Sequence, residues 1–169
     1  RSLDDQAALW EAIRNGEIDS ISTDHCSYNL AGQKDLGRDD FSKIPNGLPG
    51  IEHRPAAVYT AGVAAGRMTE NQMAALLSEH TARLFGMYPR KGAISVGGDA
   101  DIVVWDPAAR WTISAETQHQ NCDYTPYEGM AARGRAKAVF LRGELAAENG
   151  EPVKEGLGTF VARGVSEYY

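Results

Sequence analysis

The sequence is poor in cysteine, in paired histidines and in clustered positive charge, and each shortage removes a class of explanation. Cys26 and Cys122 are the two cysteines, far apart and in no CxxC pattern, so neither a disulfide framework nor a cysteine zinc site is indicated. A reducing cytoplasm is the expected compartment. The 17 Lys and Arg are scattered among 23 Asp and Glu, for a formal charge of −6. Phosphate backbones are bound by clustered cations, so nucleic acid is not expected as a partner. No apolar run approaches the length of a membrane span and the opening residues do not read as a secretory signal, so no membrane partner is expected either. His25, His53, His80 and His119 are the only histidines, and none stands in HxH or HExxH spacing. A zinc ion takes roughly three or four protein ligands, so this chain alone is not expected to hold one.

What is there reads as an α/β chain of one domain, or one and a fraction. Ala8, Leu9, Ala12 and Ile13 share a helical face over residues 3–15, Ser2 with Asp5 forms a capping-box start, and Asn15-Gly16 supplies the stop. Arg1 stands where Met would open a complete chain and the helix begins at once, so the chain is expected to be cut from something longer. A short strand is predicted over 17–23, with Asp24 and His25 arriving together where it should end. In a barrel of parallel strands, carboxylates at the C-terminal end of a strand face the active site.

Residues 27–50 lack periodicity and carry Gly32, Gly37, Pro45, Gly47, Pro49 and Gly50. They predict a long loop of the kind that is usually functional. Helices follow over 55–65, with Pro55 in the first turn, and over 69–78, opened by Thr69 and Gln72. One more helical turn, Thr81 to Phe85, is stopped by Gly86. From 91 to 147 the pattern changes to short β-rich runs, 102–105, 111–113 and 138–141. Turns at Gly92, Gly97-Gly98, Asp106-Pro107 and Arg142-Gly143 separate them, predicting a small sheet. The tail from Gly150 through Tyr168-Tyr169 reads as extended, either docked on a neighbour or mobile.

An Asp-His pair at a strand end is, on general grounds, more often a hydrogen-bonded turn than a catalytic site. A triad of Ser22, Asp24 and His25 fails, because adjacent strand residues point to opposite faces. Gly97-Gly98-Asp99 precedes a strand rather than opening a helix, so it reads as a turn and not a phosphate loop. Cys26 reads as a packed cysteine.

Longer motifs carry more. Thr23-Asp24-His25-Cys26, then Gly37-Arg38-Asp39-Asp40-Phe41-Ser42-Lys43-Ile44-Pro45-Asn46-Gly47 and Pro49-Gly50-Ile51-Glu52, resemble the dihydropyrimidinase and hydantoinase family of cyclic amidohydrolases. The resemblance continues through Ala82 to Gly92, Gly98 to Pro107 and His119 to Gly129. Departures are Leu48, His53 where an acidic residue is expected, and His80-Thr81 in place of Asn-Pro. The resemblance implies the C-terminal part of a (β/α)8 TIM barrel (1–90), part of a small β-sandwich (91–147) and an extended tail (148–169).

It also implies two Zn2+ ions per intact subunit, bridged by hydroxide and by a carboxylated lysine that lies upstream with the HxH pair and two further histidines. Of the ligands only Asp24 is present here, with a second role as proton shuttle. Asn46 takes the family position that contacts the cyclic imide through its main chain, Gly47 keeps the approach open, and His25 supports the metal-binding Asp24 from behind, with a purely structural role as the alternative. Dihydrouracil-like rings or hydantoins are the implied substrates and N-carbamoyl amino acids the products, in a homotetramer whose tail reaches a neighbour. The chain alone is expected to be inactive, to bind no zinc, and, through apolar helix faces that the missing barrel would cover, to self-associate or to carry an N-terminal piece with it. Two alternatives are a non-catalytic relative that has lost the metal ligands, against which the intact Asp24-His25 and Pro45-Asn46-Gly47 argue, and an allantoinase or dihydroorotase, disfavoured by the Asn46 loop and Asp123-Tyr124.

Overall fold

The structure, a computed structural model, describes residues 2–167, so Arg1 and the Tyr168-Tyr169 end of the expected tail lie outside the described residues. Helix α1 (Leu3–Asn15) forms where its local signals place it. Ser2 Oγ accepts the Asp5 N–H at 3.1 Å and the Asp5 carboxylate accepts the Ser2 N–H at 2.9 Å, satisfying two of the amides that a helix start leaves open. Gly16 ends the helix in the left-handed region. Ile13 on its inner face is buried with Met68 and Leu76, and Trp10, Ile18 and Ile21 pack against them.

Helix α2 (Arg54–Val58) has Pro55 in its first turn and continues as a wider π turn, Tyr59–Val63. Thr69 and Gln72 cap α3 (Glu70–Ala74) reciprocally. A second π turn, Ala75–Glu79, then runs straight into α4 (His80–Leu84). The break predicted between residues 78 and 81 is therefore absent, because neither Gly nor Pro interrupts that stretch and each residue there keeps helical dihedrals.

The sheet is antiparallel in the order β1-β2-β3-β4, with β1 Ile102–Thr112, β2 Ala131–Leu141, β3 Glu144–Glu148 and β4 Glu151–Pro152. Two of the predicted runs, 102–105 and 111–113, belong to one long strand end to end. Asp106-Pro107, read as a turn, is instead a bulge within it. Asp106 pairs with Arg135 and Arg110 with Arg133, so three residues of β1 stand against the single Gly134 of β2. Asp106 Oδ1 accepts the Ala108 N–H at 2.9 Å and supports the kink. Ile113, just past β1, is fully buried with Ala56 and Ala132 and is flanked by Trp111, Tyr127 and Met130, so this second core fastens α2 to the sheet.

The strand predicted over 17–23 does not form a ladder. Its residues are extended, yet a strand needs a neighbouring strand, and these are held by separate bonds instead: the Ile21 N–H donates to the Leu76 carbonyl at 3.2 Å, the Ile21 carbonyl accepts from the Arg54 guanidinium at 3.4 Å, and a parallel bridge, His25 to Leu48, lies just beyond the segment. The tail lies against the chain's own helical part. Arg142 reaches the Leu157 carbonyl, the Gly164 N–H donates to Gly86 O at 2.7 Å, and Glu167 pairs with Arg83. No helix among the described residues is long and apolar enough to cross a membrane.

Candidate functional site

The four residues singled out by sequence meet at one junction. The extended segment after α1 ends at Asp24, whose φ of 46° lies in the left-handed region, one of the three non-glycine residues of which this is true among those described. Aspartate tolerates that region better than most side chains, but for a non-glycine residue it remains a strained conformation of the kind that concentrates at functional sites. The Asp24 carboxylate is exposed. The next residue, His25, makes the parallel bridge to Leu48, and the Cys26 N–H donates to the Leu48 carbonyl at 3.1 Å. Asp24 and the Asn46-Gly47 main chain are thereby brought alongside each other, each within two residues of the same bridging pair.

The His25 ring faces the loop. Its Nδ1 accepts the Gly50 N–H at 3.1 Å and lies 3.4 Å from the Ile51 nitrogen, so among the described residues it supports the loop. Gly47, with φ of 91°, seats against Cys26, where a Cβ would fall 2.5 Å from the thiol sulfur. Only glycine combines that backbone with that approach. Beside the junction is a cleft of about 260 Å³ that Ser22, Thr23, Leu48, Gly50, Arg54 and Tyr127 help to line. Asp24, Asn46 and Gly47 are not among its lining residues, so the junction and not the cleft carries the candidate chemistry.

Long-range clamps hold the loop, and sequence reasoning missed them. The Asp123 carboxylate accepts the N–H groups of Leu30 and Ala31 at 2.6 and 3.0 Å, and these bonds keep it below its ordinary pKa. Glu52 accepts the His119 and Gln120 N–H groups at 2.7 and 2.9 Å. Burial pushes its pKa up, but hydrogen bonds from Gln120 and His119 outweigh this and hold it below the ordinary value. His119 also places Nδ1 3.1 Å from Glu52 and Nε2 3.3 Å from Glu151, and these partners raise its pKa. Each acid lies in a segment that resembles the family, but nothing in its spacing says which amide it meets.

His53, the departure noted above, is 2% exposed, with Nδ1 3.1 Å from Thr125 Oγ1. Burial lowers its pKa from the ordinary 6.5. A depressed histidine contributes stability that is fully present above the unfolded value and is lost as pH falls through the folded one. His119 has the opposite sign, but it is exposed and water screens its pairs. Glu52 adds to the acid loss below its own ordinary value. The expected outcome is a thermal midpoint that falls as pH drops from 7.5 to 5.5, with a flatter profile in His53→Gln. A midpoint that rises on acidification would contradict the burial of a neutral ring.

No three of the described His, Cys, Asp and Glu residues converge as a metal-binding group. An exposed carboxylate at the end of an extended segment is chemically suited to be one ligand of a divalent cation, so the described residues fit such a centre as a contributor of Asp24 and not as its whole cage.

Compared with known proteins, residues 2–146 match the model of the amidohydrolase family. The D-hydantoinase of Geobacillus stearothermophilus is 46% identical over 159 residues, covering 94% of this chain and 34% of that protein. Rat (Rattus norvegicus) dihydropyrimidinase is 43% identical over 156 residues, covering 92% and 30%. A D-hydantoinase from a Bacillus species, AR9, whose solved structure carries evidence for mercury inhibition, superposes with a TM-score of 0.95 at 45% identity, covering 99% of this chain and 37% of that one. The chain thus spans about a third of the length of the relatives it matches.

Proposed function

We propose, since this chain belongs to the amidohydrolase family, that it supplies one metal ligand, the proton shuttle and a substrate-contacting loop to a hydrolase that opens cyclic amides. The observation that carries this reading is the junction itself. Asp24 presents an exposed carboxylate beside a loop whose backbone is pinned by His25 and seated on Cys26. The relatives named above are hydantoinases and a dihydropyrimidinase, so dihydrouracil-like rings and hydantoins are the substrate class we assign. The division into barrel part (1–90), sandwich part (91–147) and tail (148–169), and a tetrameric assembly, belong to the same proposal.

Amidohydrolases are generally metal-dependent, and divalent ions supply, when bound, a water acidified toward neutrality. The remaining work falls to groups of this chain. The Asp24 carboxylate accepts the proton of the attacking water as its oxygen bonds to the ring carbonyl carbon. It then delivers that proton to the ring nitrogen as the C–N bond breaks. One water is consumed, and the product is an N-carbamoyl amino acid. The main chain at Asn46 holds the imide edge of the ring, with Gly47 leaving the approach unobstructed. Because that contact is by backbone, Asn46→Ala is expected to do less harm than a change at Asp24.

The test is ring opening of dihydrouracil and of a substituted hydantoin by a full-length polypeptide that contains this chain, with and without a chelator. Metal-dependent opening of either ring is the expected result. A folded, metal-loaded protein that opens neither would sink the proposal, and one that takes up no metal would favour the non-catalytic alternative.

A further inference from the structure

We infer that His25 and Cys26 are positioning residues for the substrate, which together set where the Asn46-Gly47 main chain stands relative to Asp24; this rests on the functional reading just given. Three consecutive residues of one extended segment divide the labour. Asp24 offers its carboxylate to solvent, while the two residues after it hold the loop.

The hold is made at three points. The Cys26 N–H donates to the Leu48 carbonyl at 3.1 Å, fixing the loop lengthwise. The His25 ring accepts the N–H of Gly50 at 3.1 Å, with the Ile51 nitrogen 3.4 Å away. An acceptor at Nδ1 is a nitrogen without a proton, so the neutral ring carries its hydrogen on Nε2. The Cys26 side chain fills the space beneath Gly47, where a Cβ built on the glycine would sit 2.5 Å from Sγ and 2.6 Å from the cysteine Cβ.

A loop that meets its ligand through backbone has no side chain of its own to lock in place, so its position must be set by others. Gly50 is buried, and without the ring its N–H would lose its acceptor. A larger residue at 26 would push Gly47 outward, since the glycine already rests on the thiol. Both changes displace the main chain at 46–47 while leaving the Asp24 carboxylate chemically unchanged. The expected signature is weaker binding with the chemical step preserved.

The experiment uses the full-length, metal-loaded polypeptide with His25→Ala, His25→Asn and Cys26→Val. It reads KM and kcat on the ring substrate that the parent opens, and hydrogen exchange of the amides over residues 44–53. His25→Ala and Cys26→Val are expected to raise KM about tenfold with kcat held within about threefold, since a uniform binding contact is lost. In His25→Ala, exchange at Gly50 and Ile51 is expected to accelerate by about tenfold or more, because their acceptor is gone. His25→Asn, whose side-chain oxygen can stand near the place of Nδ1, should recover most of both effects.

A fall in kcat at constant KM would assign His25 to the chemistry and overturn the positioning role. Lower stability with KM and exchange unchanged would reduce both residues to packing and overturn it equally. If His25→Ala does not fold, Cys26→Val decides by the same KM and kcat split. Should the parent open neither ring, the functional reading fails separately. The exchange rates then still judge the hold, with unchanged protection at Gly50 in His25→Ala counting against it.

Discussion

Replacing Asp24 by Asn in the full-length polypeptide is expected to lower ring-opening turnover by about 10³-fold while the protein stays folded, within the range found for loss of a positioned proton carrier. The amide is nearly isosteric with the carboxylate, so the junction should survive the change. The side chain is exposed, and a neutral group suits its left-handed turn as well as a charged one. What disappears is the negative charge and the basic oxygen. A neutral amide accepts no proton from water at ordinary pH and is a poorer ligand for a divalent cation, so metal content and turnover should fall together. Turnover, bound metal and circular dichroism on the same preparation separate these outcomes. Turnover within tenfold of the parent would remove Asp24 from the mechanism. Lost turnover with full metal content would leave it as proton carrier and not as ligand.

The largest expected loss of stability lies away from the junction, at Gly134→Ala. Gly134 is buried in β2 opposite the bulge, with φ of 77°, and a Cβ there would fall 2.6 Å from Trp105 Nε1 and 2.7 Å from Tyr59 Cδ1. The two rings pack against each other in a tilted pair with centroids 5.3 Å apart, and the Gly134 carbonyl accepts the Trp111 indole N–H at 3.1 Å, so a shift of the Gly134 backbone away from the rings would strain a bond to the second core. Left-handed backbone costs an alanine about 1–2 kcal/mol and an overpacked core about 1–3 kcal/mol. Together these costs lower the thermal midpoint by roughly 4–20 °C in a chain of this size. Gly129→Ala is the control, because its φ of 76° imposes the same backbone cost while nothing lies within 4 Å of the added carbon. If the two variants melt alike, the crowding by Trp105 and Tyr59 is unimportant.

The contrast between these sites shows what a sequence can reveal. Helix α1 was legible at both ends because its signals are local: Ser2 and Asp5 are three residues apart and Gly16 follows the last turn. The Thr69-Gln72 box was legible for the same reason. The strand over 17–23 was not, since alternation predicts an extended chain but a ladder depends on a neighbour. The first half of β2, Ala131 to Lys137, has no β-branched residue and announces nothing, and it is a strand because β1 pairs with it along that length. Asp106-Pro107 has turn chemistry and does kink the chain, yet its pairing on either side keeps it inside a strand.

At the candidate site, Asp24, His25, Asn46 and Gly47 could be picked out because they stand in long matched motifs. That His25 would hold Gly50, that Cys26 would underlie Gly47, and that Glu52 and Asp123 would clamp distant amides could not. Those partners are all separated by more than twenty residues, and only the folded backbone brings them together.

The tail's contacts bear on how long the fold lasts. The Arg83–Glu167 pair joins residues 84 apart, the kind of contact whose chain-entropy cost is met only after nearer ones are in place. Contacts absent when the rate-limiting barrier is crossed restrain departure from the native state and do little to hasten arrival. The last stretch of chain is thus expected to slow the parting of the helices and sheet more than it hastens their meeting.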